Sequence, residues 1–372
     1  MNSNFSITKT LLYIFLGVIA CKQSSESFVL NSESIHISSQ VFSHLDRMDF
    51  RVYHIQRDSL ISYNPSNGNL SKISLFTQER DSVSVHFFKD FQPFLLHYIS
   101  NDSILFYDGS QLLLWLDQGK SQKSFALFPG LRTIEEEVYS ESPYERISNQ
   151  LLYNSARKSV LFYFAKAEEG KKRIFAEYSL ERESWNSLPV YHPQSLEEVK
   201  LNYTTFPSVT LTQNGFAFIY SISPVMVQYS WGDSQQEEKT VSSFEGKQEA
   251  EPQTERDNWS SEYFENWALQ SPNYLKLIFD SYRNVYYRIS QEALNRSPSE
   301  GQEYYEFLIQ NRQMYLTVLD PDFEVLANYH LEKAKYDPKH AFVFSKGLWI
   351  PYTEAFLESE EGLQGDLFVF KQ

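Results

Sequence analysis

The side chains best suited to recognition are aromatic rings set at helical intervals. Trp259, Tyr263 and Trp267 fall on one stripe, with Phe264 and Leu269 beside them. Such a stripe has two readings: a short helix packing its rings onto a neighbouring β-sheet, or an exposed platform on which a sugar, peptide or protein partner stacks. Tyr304 and Tyr305, with Phe307 nearby, carry the same pair of readings, and their polar surroundings favour contact with a ligand. Arg288 sits among tyrosines in DSYRNVYYRI, where a guanidinium either stacks on ring faces or pairs with a carboxylate lining an interior channel. The eight histidines never fall at metal-ligand spacing, and no zinc-protease, nucleophile-elbow, phosphate-loop or dinucleotide motif occurs. Asp320-Pro321-Asp322-Phe323-Glu324 reads as a hairpin turn in preference to a calcium loop, because the other spaced oxygen ligands are missing. Glu135 to Glu137, and Glu358 with Glu360 and Glu361, read as solvated loop charge. No catalytic residue, metal or cofactor is therefore expected.

These residues need a scaffold, and the chain repeats one. From Phe94 to Leu116, short apolar runs flank Asn101-Asp102-Ser103 and Asp108-Gly109-Ser110, the pattern of strands in tight antiparallel hairpins. The same hairpin recurs around Arg57-Asp58-Ser59, Arg157-Lys158-Ser159, Gln213-Asn214-Gly215, Tyr282-Arg283-Asn284 and Ser345-Lys346-Gly347. Six loose repeats, each long enough for a four-stranded antiparallel sheet, predict an all-β, six-bladed propeller over residues 28–372. The aromatic content of 16% suits pleated, half-buried strands. The last repeat shows only three runs, while Ser34 to Ser38 alternates apolar and polar residues with no partner nearby. Pairing this early strand with Leu367 to Phe370 would close the ring and hide two edges. The long insertions at Leu131 to Asn149, Gly232 to Pro272, Ser290 to Arg312 and Tyr352 to Gly365 are expected on the face opposite the tight turns, which makes that face the expected binding surface.

The amino terminus reads as an address. Lys9 precedes an apolar run from Leu11 to Ala20, too short for a spanning helix of about 20 residues. Val18-Ile19-Ala20-Cys21 resembles the lipobox of bacterial lipoproteins, so residues 1–20 are expected to be a signal peptide, Cys21 the lipidated residue and 21–27 a tether. Cys21 is also the sole cysteine, which excludes an intramolecular disulfide framework. The chain's formal net charge is −15, and loss of Lys9 makes the body more acidic still, so nucleic acid is excluded as a partner.

DSYRNVYYRI, DSLISYNPSNGNL and DSILFYDGSQLLLWLDQGK together resemble an uncharacterised family of Bacteroidota lipoproteins, similar to TolB-like six-bladed propellers. The resemblance spans most of residues 21–372 and implies no catalytic residues. The expected protein is a monomeric outer-membrane lipoprotein, periplasmic or surface-facing. It meets the membrane through its lipid alone and binds an envelope protein, peptide or glycan through the long-loop face. The alternative is an envelope hydrolase or lyase acting on glycan or peptide in the propeller channel.

Overall fold

Each of the six turn sequences joins the first strand of a sheet to its second. The computed structural model describes residues 35–370 apart from 43–44, 46–48, 50, 78, 88–90, 117–120, 128–149, 165–172, 194–195, 197–205, 251–259, 295–297, 299–301, 303 and 354–361. Strand β1 (Ile35–Phe42) comes first in the chain but belongs to the last sheet. Blade one is β2 (Tyr53–Gln56), β3 (Ser59–Asn64), β4 (Asn69–Ser74) and β5 (Arg80–Ser84). Blade two is β6 (Leu95–Ser100), β7 (Ser103–Tyr107), β8 (Gln111–Leu116) and β9 (Ser121–Ala126). Blade three is β10 (Tyr153–Asn154), β11 (Ser159–Tyr163), β12 (Phe175–Ser179) and β13 (Ser184–Leu188). Blade four is β14 (Pro207–Leu211), β15 (Gly215–Tyr220), β16 (Val225–Ser230) and β17 (Gln236–Thr240). Blade five is β18 (Asn273–Asp280), β19 (Val285–Gln291), β20 (Met314–Leu319) and β21 (Val325–Leu331). Blade six is β22 (Phe342–Phe344), β23 (Gly347–Pro351) and β24 (Leu363–Phe370), and β1 completes it.

The ring closes as its sequence predicts. β1 pairs antiparallel with β24 from Ile35↔Phe370 to Phe42↔Leu363 and supplies the outermost strand of blade six. Within the same sheet Gly365 lets two strands approach closely: a Cβ there would lie 2.5 Å from the Ile350 carbonyl oxygen and against the Trp349 ring.

Hydrophobic clusters fill the six seams between blades. Tyr163 and Phe175 meet Phe218 and Val227 between blades three and four; Leu60 and Ile73 meet Trp349 and Leu367 between one and six. The remaining seams carry the same kind of packing. Radial division into seams explains how a chain of this length stays packed without one oversized core. It also explains the aromatic richness, because large rings from facing sheets interlock across the seams, edge to face between blades two and three and between three and four, and stacked between five and six.

Outer strands depart from the expected pattern. The sequence offers Lys239 to Phe244 as the outer strand of blade four and Ser187 to Tyr191 as that of blade three. In the structure these strands are Gln236–Thr240 and Ser184–Leu188, each starting three residues earlier, and the insertion counted from Gly232 begins after the first of them. The reason is common to both. An outermost strand packs little of either face, so its sequence loses the apolar alternation that marks inner strands, while exposed charge on that edge discourages further pairing.

Two helices sit on the long connections. The first, α1 (Ser261–Gln270), begins at Ser260, whose Oγ accepts from the Tyr263 amide at 3.0 Å. The second, α2 (Tyr304–Asn311), packs Phe307 and Leu308 against Leu269 of α1 and Leu294. Arg312 fixes this pair by donating to the Leu269 and Ser271 carbonyls at the C-terminal end of α1, where a cation also suits the helix dipole. No helix among the described residues is long and apolar enough to cross a membrane.

Candidate functional site

The first strands of the blades run side by side around the central axis and enclose a cavity of about 370 Å³. Every blade contributes wall: Tyr53 to Arg57, His97, Gln150 to Leu152, Ser208 to Leu211, Lys276 to Phe279, and Ala341 to Val343. Arg57, Ser281 and Tyr282 belong to tight turns, so the cavity reaches the tight-turn face; no residue of α1 or α2 lines it. Its volume lies within the ordinary range for small-molecule pockets.

Two imidazoles mark its blade-one and blade-two side. The rings of His54 and His97 stand 4.1 Å apart between centroids, and His97 in turn meets the Tyr153 ring edge to face at 5.1 Å. Nδ1 of His97 lies 3.1 Å from the Leu151 carbonyl oxygen, an arrangement in which Nδ1 carries the proton and Nε2 remains the free acceptor. His54 is 8% exposed, and its Nδ1 has no hydrogen-bond partner. Burial holds both rings neutral: it pushes His54 well below the ordinary imidazole range, helped by repulsion from His97. Burial likewise lowers His97 to about 4, against a smaller opposing effect of the Leu151 hydrogen bond.

Across the cavity, Lys276 donates to the Lys339 carbonyl at 3.3 Å. Burial lowers its amine to about 8; attraction from Asp337 and repulsion from Lys339 are weaker influences. Beside it, Ser208 and Thr210 of β14 each accept from a β18 amide, Leu277 and Phe279, at 3.0 Å. These hydroxyls satisfy inner-edge amides that no neighbouring strand can reach. Tyr282, 45% exposed, presents a ring at the mouth, and burial of its hydroxyl raises its pKa.

The residues singled out from sequence are scattered. Arg288 lies in β19 at 0% exposure, away from the cavity, in the seam between blades four and five. Its guanidinium donates to the Pro224 and Val241 carbonyls at 3.2 and 2.7 Å and to Ser243 Oγ at 2.6 Å, and stacks 5.1 Å above the Tyr274 ring. Burial lowers its pKa to about 10. Trp267 is half-buried and packs against the cluster between blades three and four, not onto blade five. Tyr263 is half-buried on the same helix. Tyr304 and Tyr305 open α2, with side chains outside the described set. Trp259, Cys21, the signal segment 1–20, the tether 21–27, the insertion at 131–149 and the acids at 358–361 lie outside the described residues. Asp320 Oδ1 accepts from the Asp322 and Glu324 amides at 2.9 and 2.8 Å, the geometry of a hairpin turn.

Sequence reasoning passed over the histidine pair, although a signal for it exists. His54 pairs with Ile61, the third residue of β3, and His97 pairs with Leu105, the third residue of β7. A bulge between Tyr98 and Ser100 inserts one residue into β6 and hides this equivalence in a simple count from the turn.

Fold and cavity together define a six-bladed propeller with a ligand-sized central pocket. Residues 89–327 match a family model described as a domain of unknown function, DUF4221, and the chain belongs to that family. The crystal structure of a DUF4221 member from Bacteroides vulgatus aligns with a TM-score of 0.67 at 14% identity, covering 92% of this chain and 100% of that one. A crystal structure described as a putative exported protein from Bacteroides fragilis aligns with a TM-score of 0.51 at 11% identity, covering 92% and 97%. At these identities the likeness is one of fold. No functionally curated protein matches the sequence.

Proposed function

We propose that this chain is a lipid-anchored cell-envelope propeller that binds a small molecule in its central cavity, without chemical turnover. The observation that carries the binding site is the cavity itself. Inner strands of all six blades wall it with a mixture of apolar side chains and a few polar groups, the usual make-up of a ligand pocket. His54 Nδ1, buried and unpartnered at its wall, is a polar group that a ligand can satisfy. Attachment at Cys21 and an outer-membrane address are inferred from the leader sequence. The long-loop face carries less of the case, because Trp267 is occupied in packing and α1 leans on α2. An envelope hydrolase or lyase would need a convergent acid and base, and no carboxylate is among the described residues lining the cavity.

The test is retention of a small molecule. The propeller from residue 22 onward, released into a bacterial periplasm and purified under native conditions, is expected to release one organic compound on denaturation, detected by mass spectrometry. A Gln56→Trp variant, which fills the mouth of the cavity, should fold with an unchanged melting temperature and release none. Equal release from both proteins would remove the cavity as the site.

A further inference from the structure

We infer that the cavity selects an organic anion with an apolar body, an inference that rests on the binding reading above. In a chain of formal net charge −15, the charged residues among the described ones lining this pocket are Lys276 and Arg57, with no carboxylate. Acids near this wall accept from other donors, although Asp337 still attracts Lys276. Asp58 Oδ1 accepts from the Ser345 amide at 3.0 Å, and Asp337 Oδ1 accepts from the Lys339 amide at 3.0 Å. Asp280 accepts from the Tyr282 and Arg283 amides, from the Arg283 guanidinium at 2.9 Å and from the Tyr287 hydroxyl at 2.8 Å. Lys276 therefore faces the cavity with one carbonyl contact at 3.3 Å for its three donors. A half-buried ammonium so poorly matched is an unfilled anion site, because a carboxylate placed against it would recover solvation that the fold has removed. The remaining wall sets the rest of the ligand. Ile55, Leu151, Leu211, Ile278 and Val343 offer apolar contact, and Tyr282 an exposed ring at the rim. A compact aromatic or branched aliphatic carboxylate satisfies both requirements.

The experiment compares isosteric probes by calorimetry and thermal shift on the propeller from residue 22 onward: indole-3-acetate, its neutral amide indole-3-acetamide, and the cation tryptamine. The carboxylate is expected to bind at least about tenfold more tightly than the amide, with tryptamine weakest. Lys276→Met should abolish the preference, and Lys276→Arg should restore part of it, which separates lost charge from lost folding. Equal binding of carboxylate and amide, both blocked by Gln56→Trp, would overturn anion selection while leaving the cavity as the site. Binding of no probe at millimolar concentration, or binding that persists in Gln56→Trp, would overturn the cavity reading itself.

Discussion

Blade five holds a buried cation, Arg288, and a half-buried one, Lys276, on adjacent strands, and they have opposite surroundings. Arg288 of β19 is paired across the sheet with Leu277, the residue after Lys276, yet the two side chains serve different ends. Three protein acceptors and an aromatic face surround the Arg288 guanidinium, so its charge bolts blade five to blade four. Lys276 has one carbonyl and a cavity. Burial of a charge thus does not mark a binding site; a shortage of partners beside open space does. Arg288 stands out in the sequence because tyrosines flank it, yet the ring it stacks on is Tyr274 of the neighbouring strand. Lys276 lies in a plain strand, NYLKLIFD, and draws its meaning from blades far away in sequence.

Removing each cation separates the two roles, and the largest effect is expected at Arg288. Arg288→Met should destabilise the fold by about 3 kcal/mol in chemical denaturation, because two carbonyls and Ser243 lose their donor in a dry seam. Trp267→Ala, which strips a half-buried ring from the seam between blades three and four, should cost about 2 kcal/mol. Tyr263→Ala on the same helix is expected to cost less than about 1 kcal/mol.

The histidine pair gives a pH signature, shared with His192, which burial also lowers to about 4. His54 and His97 are neutral in the fold, whereas an unfolded chain protonates them near 6.5, so the unfolded state binds more protons below that value. Stability is then complete above about pH 6.5 and falls as pH drops, by about 2 kcal/mol near pH 5 for His97, whose value in the fold is about 4. His97→Gln should make that slope shallower in a melting series across this range. Smallest of all is the expected stability change for Lys276→Met, within about 1 kcal/mol and of either sign, since a poorly partnered cation leaves the fold. A loss at Lys276 as large as that at Arg288 would erase the contrast.

The fold was legible because tight turns and inner strands are local signals. Arg57-Asp58 and Ser345-Lys346 sit at their turns, and Ile35 to Ser38 finds the partner that its unpaired alternation called for. Outer strands such as Gln236–Thr240 were legible only with displaced bounds, Lys239 to Phe244 in the sequence, since an exposed edge carries no buried face to impose a period. The cavity was least legible of all. Its walls come from the first strand of five blades and, in blade three, from Gln150 to Leu152 just ahead of β10, and His54, His97 and Lys276 become neighbours of one space only through ring closure. Aromatic stripes drew attention to the long-loop face, where the half-buried Trp267 packs against the cluster between blades three and four.

The central claim is that Lys276 waits for an anion, and its amine can report on this directly. In protein carrying isotope-labelled lysine, the Lys276 side-chain resonance should titrate with a midpoint of about 8. Saturating indole-3-acetate should raise that midpoint, because a bound carboxylate favours the charged amine. An ordinary lysine midpoint near 10.5, or one that indole-3-acetate leaves unmoved, would contradict the account.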